Sequence, residues 1–125
     1  MTPYKAVVAL AAAAALAAAS LPPSTYQKPK TVIHLVTIKW AATAAPEQRR
    51  AALESLEKAA AGAGGVRNLW LRAVRVQPRD FMSAFAIEFE DAAAADRFLR
   101  HASYEAWSRT CLPLIEESRT QQVTN

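Results

Sequence analysis

The sequence predicts a small α+β domain, a ferredoxin-like βαββαβ unit with a four-stranded antiparallel sheet. Residues 31–40 form an apolar, β-branched segment, and residues 46–62 carry the start and stop marks of a helix. Two further strand-like segments, 66–77 and 81–91, precede a second helical pattern and a polar strand at 118–124. This order of elements is that of the split ferredoxin-like motif.

The first strand, TVIHLVTIKW, has too few polar interruptions for a sheet with one face in water. Successive side chains of a strand point to opposite faces. One face carries His34, Val36, Ile38 and Trp40. The other carries Ile33, Leu35, Thr37 and Lys39. We therefore expect a covering layer on each side of this strand.

The first helix is predicted to begin at Pro46 and to end at a glycine cluster. Proline suits the first helical turn, because the amide hydrogen that it lacks has no partner there, and the carboxylate of Glu47 meets the positive helix end. An apolar stripe follows at Leu53, Leu56 and Ala60. The three glycines of the chain then come together at Gly62, Gly64 and Gly65, a composition typical of a helix end and a sharp turn.

The second and third strands, 66–77 and 81–91, are separated only by Pro78, Arg79 and Asp80. Such a short connection predicts an antiparallel hairpin. In the third strand the bulky side chains alternate with small ones, so that one face is expected to pack against helices. That face carries Phe85, Ile87 and Phe89.

The second helical segment begins near Ala92 and is predicted to bend at residues 101–103. It continues through Trp107 and Cys111 to Pro113, which should kink the helix or start a new turn. The polar strand 118–124 completes the unit.

The amino-terminal residues predict export. Residues 1–19 combine a basic start at Lys5 with a small-apolar run that ends in alanines, as a cleavable signal peptide does. That run is too short for a membrane anchor, which needs about 20 residues. Residues 20–30 contain three prolines and predict an extended linker, so the domain proper is 31–125. We expect a secreted or periplasmic protein, with no membrane attachment after cleavage.

Composition argues against several classes of function. The net charge of the whole chain is only +4, and its arginines are interspersed with acidic and apolar residues, so nucleic acid is not an expected partner. The single cysteine, Cys111, is expected to be a small core residue. One cysteine and two histidines give no close-spaced ligand pattern, so a metal site is not expected. A domain outside the cytoplasm lacks ready access to nucleotide cofactors, so no cofactor is expected either.

The segments IHLVTIK at 33–39, VRNL at 66–69 and HASY at 101–104, with the proline-started helix and the phenylalanine-rich third strand, resemble the stress-responsive dimeric A/B barrel (Dabb) family. The resemblance covers residues 31–125. It implies a homodimer in which two four-stranded sheets pack face to face as a dimeric α/β barrel, with the helices outside. The dimer side would then carry Ile33, Leu35, Ala84 and Ala86.

The resemblance also implies a small-molecule cavity between the sheet and the helices. In the plant polyketide cyclases of the family, a first-strand histidine and a second histidine form an acid/base pair. His34 matches the first position, whereas Tyr104 occupies the second. A phenol, with a pKa of about 10, is a poor base but can donate a hydrogen bond. The expected ligand-binding residues are Val36, Ile38, Trp40, Phe85, Ile87 and Phe98.

Two hypotheses of function follow. The first is a binding module that holds a small apolar or aromatic molecule, although the same aromatic side chains could simply be core. The second is a cofactor-independent enzyme, of cyclase, lyase or oxygenase type, with His34 as the base and Tyr104 as the proton donor. Haem binding, as in distant relatives of the barrel, would need an axial ligand, and His101 is the only other histidine.

Overall fold

The computed structural model describes residues 25–125, and the predicted signal peptide 1–19 lies outside them. Its elements follow the predicted order, with the second helical segment divided into two helices. In chain order they are β1 (Val32–Trp40), α1 (Pro46–Ala63), β2 (Val66–Trp70), β3 (Ser83–Phe89), α2 (Ala92–Arg100), α3 (Ala102–Cys111) and β4 (Ile115–Thr124). The predicted fold class, a ferredoxin-like α+β unit, is confirmed.

The four strands form one antiparallel sheet in the order β2-β3-β1-β4, with β1 between β3 and β4. In this register His34 lies opposite Ile87 on one side and Gln122 on the other. Leu35, one residue along, lies between Ala86 and Gln121. Because strand side chains alternate, these two sets of residues occupy opposite faces of the sheet.

One face of the sheet packs against the helices and forms the core. Ile38, Phe89 and Leu56 are fully enclosed there, and the Phe89 ring lies 5.2 Å from that of Phe98 on α2. The other face of β1 is only half-buried in the single chain, including Leu35. The helices therefore provide the expected covering layer on one side of β1. We call the opposite side of the sheet, which carries Ile33, Leu35 and Ala86, the open face.

The ends of α1 are formed as the sequence predicts. The side-chain oxygen of Gln48 accepts a hydrogen bond of 2.8 Å from the backbone amide of Ala45, just before Pro46. At the other end Gly64 and Gly65 have φ angles of 71° and 74°, in the region that favours glycine. A β-carbon at Gly65 would come within 2.8 Å of the Ala94 side chain, whereas one at Gly64 would meet nothing within 4 Å.

We expect Gly65→Ala to lower the free energy of unfolding more than Gly64→Ala does. Both substitutions place alanine at a positive φ angle, which costs about 1–3 kcal/mol, and only the first adds the collision with Ala94. Urea denaturation of the two variants measures the difference. Equal losses of stability would show that α2 moves away without cost.

The connection between β2 and β3 differs from the predicted tight hairpin. The strands are antiparallel neighbours, but β2 ends at Trp70 and residues 71–82 form a loop. Two side-chain contacts join the loop to the neighbouring strands β1 and β4. Phe81 is buried beneath the Arg119 guanidinium, 4.7 Å from its ring centre, and Lys39 pairs with Asp80 at 3.2 Å. The prediction of strand structure for residues 71–77 and 81–82 is therefore wrong.

The predicted bend in the second helical segment lies at His101, where α2 ends and α3 begins. The ring Nδ1 of His101 accepts a hydrogen bond of 3.1 Å from the amide of Ser103, so that this histidine caps α3. The Ser103 hydroxyl in turn donates to the Ala59 carbonyl at 2.8 Å and ties the break to α1. Pro113 lies in a 3-10 turn, Leu112–Leu114, as the sequence allows.

The last strand is longer than the predicted 118–124, because it begins at Ile115, which pairs with Trp40. Cys111 is buried in the core as expected, and burial raises the pKa of its thiol despite an opposing hydrogen bond from Ser55. In the part of the chain described, no helix has the length and apolar character needed to cross a membrane.

Candidate functional site

A cavity of about 200 Å³ lies between the sheet and helices α2 and α3. Its walls come from three strands and from both sides of the helix break. They are formed by His34, Val36, Phe85, Ile87, Phe98, Leu99, Tyr104 and Thr120. The cavity thus brings together both predicted catalytic residues and four of the predicted ligand-binding residues.

Strand register places the sheet residues of this wall side by side. Val36 lies opposite Phe85 on β3 and Thr120 on β4, and His34 lies opposite Ile87. The break at His101 brings the helix residues to the same place, since the rings of Phe98 and Tyr104 are 4.8 Å apart across it. The cavity therefore depends on the β1 pairing and on the helix bend together.

His34 is 6% exposed, and its Nε2 lies 2.8 Å from the side-chain oxygen of Gln122 on β4. An amide oxygen can only accept a hydrogen bond, so with this oxygen facing the ring Nε2 is the donor of the pair. The ring also meets Phe89 edge-on, with 5.1 Å between their centres. The hydrogen-bond partner of this buried histidine is thus Gln122, and not Tyr104 or a backbone carbonyl.

Gln122 was not among the predicted site residues, although the order of the strands contains a clue to it. If the last strand pairs antiparallel with the first, one residue of it must lie beside His34. The predicted start of β4 was three residues late, so the register could not be counted from the strand ends.

Tyr104 is half-buried and lies between two other aromatic side chains. Its ring stacks on that of Trp107 at 5.8 Å and with an angle of 20° between the planes, while Phe98 packs on it at 4.8 Å. The Trp107 indole nitrogen donates to the Ala52 carbonyl at 2.9 Å. This hydrogen bond holds the Trp107 ring in place, and the Tyr104 ring stacks on it.

Two predicted ligand-binding residues, Ile38 and Trp40, do not line this cavity. Ile38 is completely buried in the core. The Trp40 indole nitrogen donates a hydrogen bond of 2.8 Å to the Ser83 hydroxyl at the start of β3. Both side chains share the helix-facing side of β1 with His34, but they lie further along the strand.

The wall is chemically simple. Most of its surface is apolar, and the polar side chains in its lining are those of His34, Tyr104 and Thr120. Pockets of this type hold an apolar body and orient it through a few polar groups. Among residues 25–125, no three histidine, cysteine or acidic side chains are grouped so that they could hold a metal ion.

Searches with protein-family models and against curated proteins found no match to this chain. Solved structures do match. A dimeric ferredoxin-like protein of unknown function from Thermobifida fusca has a TM-score of 0.66 at 14% identity, covering 84% of this chain and 100% of its own. A Dabb family protein from Mesorhizobium loti has a TM-score of 0.61 at 23% identity, covering 76% of this chain and 96% of its own.

A cofactor-independent oxygenase from Streptomyces nogalater is similar as well, with a TM-score of 0.63 at 14% identity. The match covers 77% of this chain and 93% of the oxygenase. At these identities the likeness establishes the fold, and the chemistry of the chain has to be argued from its own residues.

Proposed function

We propose that this protein is a homodimeric, exported Dabb domain protein that binds a small apolar or aromatic molecule between its sheet and helices. The observation that supports this most is the cavity beside His34, whose mainly apolar wall includes three polar side chains. The likeness to a Dabb family structure supports the family assignment. Export rests on the predicted signal peptide alone.

The dimensions of the cavity limit the ligand. Its volume is about 200 Å³, and an apolar cavity of about 150 Å³ holds benzene. The site therefore suits a molecule of one or two rings. A hydroxyl or carbonyl group on that molecule would reach the Tyr104 phenol or the His34 ring.

Binding, and not catalysis, is the function that the contacts favour. The catalytic hypothesis started from an ionisable side chain in an apolar strand that needs a partner. Gln122 meets that need at 2.8 Å. Turnover with His34 as base and Tyr104 as proton donor stays a prediction, and the ligand-bound protein is the sample in which to assay it.

Homodimerisation through the open face is the second part of the proposal. Ile33, Leu35 and Ala86 are half-buried there in the single chain, and the edge strand β4 is exposed along nearly all its length. A second copy would remove this apolar surface from water, which stabilises the complex in proportion to its area. The Thermobifida fusca protein of the same fold is described as dimeric.

Val36→Phe should weaken the binding of p-cresol, our one-ring probe, at least tenfold. The larger side chain occupies the volume between His34 and Phe85 that the probe needs. Binding is measured by NMR titration, in which the amides of His34, Phe98 and Tyr104 should shift in the wild-type protein.

The matched control is Val74→Phe, the same substitution at a fully exposed position of the β2–β3 loop. It should leave p-cresol binding unchanged, and thermal melts of both variants establish that they are folded. If folded Val36→Phe binds the probe as well as the wild type does, the proposed site is wrong.

A further inference from the structure

A second cleft, of about 540 Å³, lies between the first half of α1 and the end of β2, away from the cavity beside His34. We call it the arginine cleft. It is lined by Arg49, Arg50, Leu53, Glu54, Leu71, Arg72 and Ser83. None of these residues belongs to the proposed site of the previous section.

The base of the arginine cleft is apolar with one polar group. Leu53 and Leu71 are half-buried and form its hydrocarbon surface. The Ser83 hydroxyl oxygen accepts a hydrogen bond from the Trp40 indole at 2.8 Å. Since that oxygen acts as an acceptor, the hydroxyl proton of Ser83 is available for an acceptor within the cleft.

The rim of the arginine cleft is cationic. The Nε of Arg49 donates to the Ala44 carbonyl at 2.9 Å, and one of its terminal nitrogens lies 3.7 Å from the Met82 sulfur. These contacts hold its guanidinium in place. Neither Arg50 nor Arg72 forms an ion pair with any residue in 25–125, and Glu54 is the one acidic side chain in the lining.

We propose that the arginine cleft binds an amphipathic carboxylate, that is, a carboxylate on a compact hydrocarbon body. The planar guanidinium groups match the two oxygens of a carboxylate, and Ser83 adds a hydroxyl donor. The hydrocarbon body would lie on Leu53 and Leu71. A nucleic-acid strand fits less well, because none of the residues within 25–125 that line the cleft is aromatic, so bases have no ring to stack on.

The test uses 1-naphthoate and its neutral analogue 1-naphthol at pH 7, titrated into the purified protein and followed by NMR and calorimetry. We expect 1-naphthoate to shift the amides of Leu53, Leu71 and Ser83. The double substitution Arg50→Gln with Arg72→Gln should weaken its binding roughly tenfold, as the loss of two partly exposed ion pairs predicts. Added salt should weaken wild-type binding in the same direction.

The matched control is Arg97→Gln with Arg100→Gln, which makes the same change in net charge on exposed positions of α2. It should leave 1-naphthoate binding unchanged. The proposal is overturned if the control weakens binding equally, if 1-naphthol shifts Leu53 and Leu71 with the same affinity, or if 1-naphthoate shifts His34 and Tyr104 instead. Saturation with p-cresol should not displace 1-naphthoate, which separates this site from the other.

Discussion

Replacing Phe89 by alanine should lower the free energy of unfolding by about 3–5 kcal/mol, the cost of emptying a large buried aromatic site. Phe89 is fully buried in β3, between the rings of His34 at 5.1 Å and Phe98 at 5.2 Å. Neither neighbour can move far into the space, since His34 is held by Gln122 and Phe98 by Tyr104. A loss of this size is a large part of the total stability of a domain, about 5–15 kcal/mol.

Urea denaturation followed by circular dichroism measures this effect, with wild type and variant at the same protein concentration. The control is Leu112→Ala, at a leucine that is 54% exposed after α3, which should cost about 1 kcal/mol or less. A similar small cost for Phe89→Ala would mean that the core relaxes around the missing ring, and that the cavity beside it is not rigid.

The elements that the sequence predicted correctly are those with strong local marks. Pro46, the glycines at 64 and 65, and the alternation of Phe85, Ile87 and Phe89 each act over a few residues. Local stereochemistry decides such features, so they can be recognised without knowledge of the rest of the fold.

The predictions that were wrong concern elements that depend on contacts between distant segments. In the β2–β3 loop Phe81 packs beneath Arg119 and Asp80 pairs with Lys39, and neither partner is near in sequence. The extra residues of β4 likewise come from pairing with β1. Periodicity within one segment cannot reveal such pairings.

In the candidate site, too, the features decided locally were predictable and those decided by distant contacts were not. The face of β1 that carries His34 and Val36 followed from alternation, and it leads directly into the cavity. Trp40 and Ile38 share that face but lie beyond the cavity, since Ile38 is packed in the core and Trp40 bonds to Ser83 at the end of β1. Gln122 and the arginine cleft needed the register and the loop, which only the folded chain provides.

Leu35→Arg should abolish the proposed homodimer. Leu35 lies on the central strand, between Ala86 and Gln121, so that a partner sheet would cover it. Arg75 and Arg119 share the groove around it, so an introduced arginine would meet like charges there. An unpaired buried charge costs several kcal/mol, and a two-fold interface contains it twice. We expect the dissociation constant to rise at least 1,000-fold.

Sedimentation velocity at micromolar concentration should give a dimer for the wild type and a monomer for Leu35→Arg. The same substitution at Leu112, which lies outside the sheet, should leave the dimer intact. Circular dichroism checks that Leu35→Arg is folded. We expect it to fold, because Leu35 is not part of the core on the helix side. If the wild type is itself a stable monomer, the open face has another role and the dimer proposal is wrong. If Leu35→Arg stays dimeric, the two copies associate through a different surface.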